Sequence, residues 1–471
     1  MANNATKPPS SRKSSRRRRR KPAEQPVTET VALEAPFKKL LLTEAGESAS
    51  RVALACRILD IESLAAKVPG RDSRFAADCD GVLELPDAGD PQADAATIAK
   101  AAREAGVDVI LPGYEGLRCL SALQEELRES GITIAQTRLT EDGQPLGRQA
   151  MLDICKSLGI DSVDSQRIPA SKLVEIFEEH GGPLIARSDI VGDAKPCRLL
   201  DKDDAESAAV SLPGPDGYLW VEEPIAQRRR FDVSVIRDVN GDCAALVERD
   251  SSAFGLGLRE APSPTLMAAA DGEALREALF EVATRLWSAL GAFGVGEVMF
   301  GYNVEGKFFI EDLATGISPE QVLTEWVCRI GLVEWQLRVH AGQPLTEEVY
   351  ARPESGHAFL AHVRGGARAE TEGTTFGEVL WPPTPSGSVR VLSPYSEGSD
   401  LPEGQQRTLL ARISTFGAVR HQALLTLDRI LAGTEFPPLD TNIPRLREVL
   451  SHEGMRFGQY DSDSRFTRPT E

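Results

Sequence analysis

The sequence contains no apolar run approaching 18 residues, so none of its stretches can span a bilayer as a helix. Basic residues crowd its N-terminus with no hydrophobic segment behind them, which excludes a secretory signal. Its seven cysteines (56, 79, 119, 155, 197, 243 and 328) form neither a CxxC pair nor a Cys/His cluster of zinc spacing. Thiols so dispersed fit a reducing cytoplasm, where they are simply buried. Internal repeats are lacking. The first strand-to-helix turn, TEAGESA, is not a GxGxxG fingerprint, so it supports no dinucleotide site.

What is there is ordinary for a soluble globular protein: 471 residues, 41% hydrophobic and 26% charged, with room for two to four domains. A net charge of −18 argues against general nucleic-acid binding by the body of the chain. The charge is uneven. Lys7, Arg12, Lys13, Arg16 through Arg20 and Lys21 face only Glu24 and Glu29 in the first thirty residues, so the rest is more acidic than the total. Residues 1–34 hold almost nothing to bury and are expected to be disordered. Their Arg run offers a contact for RNA, DNA or an anionic lipid, against the alternative of a solubilising tail resting on its own acidic body. Deletion of residues 1–30 separates the two, since unchanged nucleic-acid retention removes the anionic partner.

From Phe37 strands and helices alternate: FKKLLLT, then the helix ASRVALACRILDI, SLAAKV, GVLELP, AATIAKAAREAG, VDVILP, CLSALQEELRESG and ITIAQT. This order predicts a mostly parallel, doubly wound sheet. The helix GRQAMLDICKSLGI leads into a second unit with strands SQRI, GPLIARS and YLWVEE and two helices. FDVSVIRDVNGDCAALVERD reads as a hairpin around Asn240-Gly241. EQVLTEWVCRIGLVEWQLRVHAG reads as helical, with Trp326, Leu332 and Trp335 in the core. HAFLAHVRGG, EVLWPP and SVRVLS read as strands, and TLLARISTFGAVRHQALLTLDRILAG and IPRLREVLSHEG as closing helices before fifteen polar, frayed residues.

The stretch that organises the rest is GVGEVMFGYNVEGKFFIEDLATGISPEQ, Gly294 to Gln321. It predicts two strands, Val295–Tyr302 and Lys307–Asp312, joined by Asn303-Val304-Glu305-Gly306. The second ends in Glu311-Asp312, where alternation lets only one acid face a given side. Such acids can hold Mg²⁺ against a phosphate; surface hairpins end in acids about as often without a function.

The run VERD, EAPSP, a long helix, GVGEVMF, FFIED, LTEW and LRVHAGQPL resembles biotin carboxylase, an ATP-grasp enzyme, and the likeness extends from about Phe37 to Leu450. TEAGESA and PGYEGL (Pro112–Leu117) look like that family's NRGEIA and PGYGFL turns, read here as structural. The resemblance implies an α/β and α+β architecture. It comprises an N-terminal doubly wound, Rossmann-like domain (35–145), an ATP-grasp domain (146–350) with a small lid (about 162–222), and a β-rich C-terminal domain (355–455). ATP and Mg²⁺ are the implied cofactors, and a dimer, or a heteromer with an active carboxylase, the implied assembly.

Residue by residue, the likeness is uneven. The family's phosphate-holding lysines appear as Arg148 and Arg187, which keep the charge but not the shape. The glycine flap appears as Ile190-Val191-Gly192-Asp193-Ala194, whose β-branched and acidic residues obstruct close approach to phosphate. Glu311 matches a metal-binding glutamate, but its partners are Met299 across the hairpin and Leu313 in place of asparagine. Asp312 or Glu297 substitutes only if the register shifts. The basic loop before EAP is reduced to Ser251 through Arg259, and Thr315 stands near the place of an arginine. Glu320 and Arg390 match a general base and a bicarbonate-facing arginine, catalytic only if the chain is active. Glu222, Glu223 and Ile225 match the adenine-side hinge. An AMKM-type attachment sequence is lacking, so the chain carries no covalent biotin.

Three readings follow. In the first, carboxylase chemistry is lost and the chain is a nucleotide-binding or regulatory partner. In the second, it is an active ATP-dependent carboxylase using Arg148, Arg187, Glu311, Glu320 and Arg390 in a rebuilt site. In the third, it is an interaction protein working through its Arg-rich arm.

Overall fold

The computed structural model describes residues 37–43, 46–68, 75–86, 91–112, 120–141, 146–191, 196–214, 216–350, 354–365, 377–385, 387–395, 409–464 and 466. The Arg-rich arm, the PGYEGL turn beyond Pro112 and flap residues Gly192–Ala194 lie outside them.

The first sheet is built from β1 (Lys39–Leu42), β2 (Glu62–Lys67), β3 (Gly81–Glu84), β4 (Val109–Leu111) and β5 (Thr133–Ile134). It is parallel throughout, in the order β3-β2-β1-β4-β5. Consecutive leucines in β1 suit a strand covered on both sides. Leu41 packs with Ile110 toward helices Pro91–Ala105 and Leu120–Leu127, while Leu40 and Leu42 pack toward helix Ser48–Leu59. The expected doubly wound unit is therefore present.

A second sheet joins β6 (Gln166–Pro169), β7 (Leu184–Ser188), β8 (Cys197–Leu199) and β9 (Tyr218–Glu222) in the antiparallel order β6-β9-β7-β8. Strand β8 is additional to the expected three. Helices Leu173–His180 and Lys202–Ser211 close its core over Leu173, Leu184, Leu199 and Leu219. Asp201 caps the second helix, accepting from the Asp204 N–H at 2.9 Å.

The third sheet has eight strands: β10 (Arg229–Arg237), β11 (Cys243–Asp250), β12 (Leu258–Ala261), β13 (Gly294–Tyr302), β14 (Phe308–Thr315), β15 (His357–Arg364), β16 (Val389–Leu392) and β17 (Leu409–Gly417). Their order is β14-β13-β10-β11-β12-β15-β17-β16. Pairing of β12 with β15 makes the strands of the central hairpins and those near the C-terminus one continuous surface. One face is apolar: Phe231, Val233, Val298, Phe300 and Ile310 pack with Trp287 of helix Gly272–Ala289. No helix among the described residues is long and apolar enough to cross a membrane.

Four expectations need correction. Leu409–Gly417 is not the start of a helix but strand β17, central between β15 and β16. Its Ile413, Thr415 and Phe416 favour a pleated surface, and the helix begins only at Arg420. The long helix after Gln321 is two, Val322–Cys328 and Leu332–His340, divided where Arg329 turns to φ 51° ahead of Gly331. The last fifteen residues are not uniformly frayed, because Tyr460 and Phe466 are buried in the C-terminal core. Finally, β14 does not end at Asp312 but continues to Thr315.

Behind the apolar face lies a buried polar knot that ties the C-terminal segment down. Glu260 accepts from Arg420 Nε at 2.6 Å and Nη2 at 2.8 Å, from Tyr460 Oη at 2.6 Å, and contacts His357 Nε2 at 2.6 Å. Burial alone would raise its pKa, but Arg420 and His357 hold it down to about 2. Because the folded value lies below the ordinary 4.5, this stabilisation is complete above about pH 4.5 and is lost as the pH falls toward 2. Glu260→Gln should therefore cost roughly 3–5 kcal/mol at pH 7, by leaving Arg420 without its acid. In urea unfolding, the gap between variant and parent should close between pH 4.5 and 2; an equal gap throughout would contradict this assignment.

Candidate active site

The polar face of the eight-stranded sheet collects the chemistry. Directly opposed residues in antiparallel strands share a face, and the register runs Arg249–Asp232–Met299–Asp312 across β11, β10, β13 and β14. Between Met299 and Phe300 the register slips: Met299 pairs with Asp312 and Phe300 with Ile310. Glu311 is thus the extra residue of a β-bulge, which breaks strict alternation. The expectation that Glu311 and Asp312 must face opposite sides is wrong for this reason. Both carboxylates reach arginines of one cluster.

Asp312 bridges the two predicted phosphate-side arginines, with Oδ1 2.9 Å from Arg148 Nη2 and Oδ2 2.9 Å from Arg187 Nη1. Arg187 Nε donates to Glu222 at 2.7 Å, and Glu222 accepts from Ser165 Oγ at 2.8 Å. Glu311 is held by two arginines that sequence reasoning passed over, Arg228 Nε at 2.5 Å and Arg230 Nε at 2.9 Å. Burial would raise the Glu311 pKa, yet Arg230, Arg228 and Arg187 keep it below the ordinary carboxylate value. A signal was present in the sequence. Arg228, Arg230, Asp232 and Ser234 recur every second residue, the period of one strand face.

Farther along the same face lies a second cluster. Glu320, in the short turn Pro319–Gln321, is 3.3 Å from His362 Nε2 and 3.8 Å from Arg259 Nη1. Burial opposes its ionisation, but Arg259 and His362 hold it well below the usual range. Burial lowers the His362 pKa, against the pull of Glu320. Beside them Arg249 Nη2 donates to Glu297 at 2.7 Å, and Glu297 accepts from Ser318 Oγ at 2.9 Å. The register sets Arg259, Leu360, Ser414 and Arg390 in one row across β12, β15, β17 and β16. Three strand spacings make that row about 14 Å long, so Arg390 belongs to the same face as Glu320's partners but to its far edge.

The remaining candidates fall at the margins. Glu222 points into the arginine cluster, whereas Glu223 is exposed and Ile225 half-buried. The Ile225 carbonyl accepts from Arg228 Nη1 at 3.0 Å. Met299 is half-buried opposite Asp312, and Leu313 packs into the apolar core with Val298. Val191 is likewise a core residue. Among the described residues no group of three or more His, Cys, Asp or Glu is arranged to hold a metal.

With this geometry in hand, comparison with known proteins is decisive for kinship. Residues 36–135 match the family model for the biotin carboxylase N-terminal domain, and residues 148–348 that for the carbamoyl-phosphate synthase L chain ATP-binding domain. Biotin carboxylase of Halalkalibacterium halodurans is 26% identical over 450 residues, covering 90% of this chain and 96% of that one. The chain is a biotin-carboxylase-type ATP-grasp protein. Solved structures agree in fold. The biotin carboxylase domain dimer of Hydrogenobacter thermophilus 2-oxoglutarate carboxylase, in complex with MgADP, ADP and bicarbonate, superimposes with a TM-score of 0.73 at 20% identity over 90% of this chain and 96% of that chain. The Campylobacter jejuni biotin carboxylase–β,γ-ATP complex gives 0.74 at 18% identity over 91% and 98%.

The magnesium ion that this biotin-carboxylase-type fold implies does not fit the residues present. Both Glu311 oxygens face guanidinium groups, and the positions beside it are a thioether and a core leucine. Hard divalent ions take oxygen ligands and would meet positive charge here. Asp312 instead serves as a structural acid between two buried arginines. Asp312→Ala should destabilise the protein by about 3–5 kcal/mol, because it strands two buried charges. Denaturant unfolding with and without MgCl₂ checks this; a loss below about 1 kcal/mol, or a parent stabilised by Mg²⁺, would contradict it.

Proposed function

We propose that this biotin-carboxylase-like ATP-grasp protein has lost efficient ATP-dependent carboxylation and acts as a nucleotide-binding or regulatory partner subunit. One observation carries the reading: Glu311, the position of the family's metal-binding glutamate, is neutralised by Arg228 and Arg230. Phosphoryl transfer in such folds depends on metal ions and donors placed for one transition state, and those parts act as a unit. In this reading the chain is organised as an N-terminal domain at 35–145, an ATP-grasp domain at 146–350 with its lid at about 162–222, and a C-terminal domain at 355–455. The Hydrogenobacter relative is a dimer. A cytoplasmic homodimer, or a heteromer with an active carboxylase, is the corresponding assembly.

The second reading, an active ligase with a rebuilt site, is favoured by one feature, the buried, ionised Glu320 between Arg259 and His362. Glu320 stands where the resemblance places a general base, with Arg390 on the same sheet face. Arg259 and His362 make it a weak proton acceptor, so a base step there requires those contacts to loosen when substrate binds. Phosphate release from ATP in the presence of Mg²⁺, bicarbonate and free biotin decides between them. Losing one preorganised charge costs about 10²–10³ in rate, so turnover should fall at least roughly 10³-fold below that of an active relative. Bicarbonate-dependent hydrolysis at a relative's rate, abolished by Glu311→Ala, would establish the ligase instead.

A further inference from the structure

The arginines around Glu311 and Asp312 do more than close a metal position. Four guanidiniums (Arg148, Arg187, Arg228 and Arg230) meet three carboxylates (Glu222, Glu311 and Asp312), leaving one net positive charge. Arg148 and Arg187 are almost fully buried, with side chains 2% and 3% exposed, while that of Arg230 is 20% exposed. Arg230 Nε forms an ion pair with Glu311 Oε2 at 2.9 Å, and no acceptor among the described residues takes its two terminal nitrogens. The cluster therefore presents unspent donors at its rim over a buried positive field.

A separate observation shows that the segment carrying these arginines is held in place. The C-terminal residues lie across it: Ser462 N–H donates to the Arg228 carbonyl at 2.9 Å and Gln227 N–H to Asp463 Oδ2 at 2.7 Å. Arg229, pointing the other way, donates to the Gly458 carbonyl at 2.7 Å and to Asp250 at 3.0 Å. Arg228 and Arg230 are thus fixed over Glu311 by the fold.

We propose that this cluster binds the phosphate chain of a di- or triphosphate without a divalent ion, the guanidiniums of Arg228 and Arg230 supplying the positive charge that a metal would otherwise bring. The proposal rests on the nucleotide-binding reading and narrows it. Its sign is the consequence that matters. A net positive cluster attracts the fully ionised phosphate chain, whereas chelated Mg²⁺ lowers the ligand's charge and meets arginines in place of oxygen ligands. Magnesium should therefore weaken binding.

Calorimetric titration of the full chain with ATP, inorganic tripolyphosphate and adenosine, each in EDTA and in excess MgCl₂, tests this. ATP and tripolyphosphate are expected to bind in EDTA, at least about tenfold more tightly than in MgCl₂, and adenosine to bind weakly or not at all. Equal affinity for the first two identifies the phosphate chain alone as the ligand; tighter ATP binding shows that the nucleoside is read as well. Arg230→Ala, at the accessible rim, should weaken metal-free binding roughly tenfold to a hundredfold, the range for a lost charge-assisted hydrogen bond. Arg230→Lys should retain part of it, and thermal unfolding of both variants is recorded so that binding is read on folded protein, because Glu311 loses one of its two arginines in Arg230→Ala. Tighter binding with Mg²⁺, no binding in EDTA, or an unchanged Arg230→Ala variant would overturn the site. Bicarbonate-driven hydrolysis would instead overturn the loss of carboxylation, so the two failures are distinguishable.

Discussion

Two adjacent acids on a bulged strand are each met by two arginines, and the polar half of this molecule is arranged around that constraint. Glu311 and Asp312 reach one cluster only because β14 carries an extra residue opposite Met299 and Phe300. Each buried guanidinium is tolerable because a carboxylate meets it; alone it would carry a desolvation cost of several kcal/mol. The acids draw Arg148 from a helix, Arg187 from the small sheet, Arg228 from the residue before β10 and Arg230 from its start. The cluster thus joins the small lid-like sheet to the large one, and the same contacts that stabilise that junction exclude a hard cation from it.

The large sheet explains why the second cluster sits where it does. Its apolar face is consumed by packing against helices, so every charged side chain of the central strands is left to the other face or to a satisfied knot such as that at Glu260. On that face Glu320, His362 and Arg259 lie together because the turn after β14 brings Glu320 over the β12–β15 pair. The fold of the family is intact. Within it, the acids Glu311 and Asp312 are matched by arginines.

Much of this was readable residue by residue. Period-two and period-3.6 patterning located the parallel sheet, the Asn240-Gly241 hairpin and the central hairpin, since those elements bury one face or both. The positions of Arg148, Arg187, Glu311 and Glu320 were legible through kinship. The misreadings have physical causes. Leu409–Gly417 runs directly into a helical stretch, and only its place between two strands decides that it is extended. Tyr460 and Phe466 lie in a polar segment whose burial depends on partners far away in the sequence. The bulge at Glu311 inserts no unusual residue, so alternation was the natural expectation and was wrong.

By itself the sequence determined which residue types were available: arginines in place of lysines, a methionine and a leucine in place of metal ligands, and a doubly wound start. It determined these because side-chain chemistry and periodicity are local properties. Only the tertiary structure decided what the acids do. A one-residue slip of register and the approach of Arg228 and Arg230 turned Glu311 from a candidate metal ligand into half of an ion pair, because Coulombic pairing in a buried site depends on distances of a few ångströms that no local pattern records.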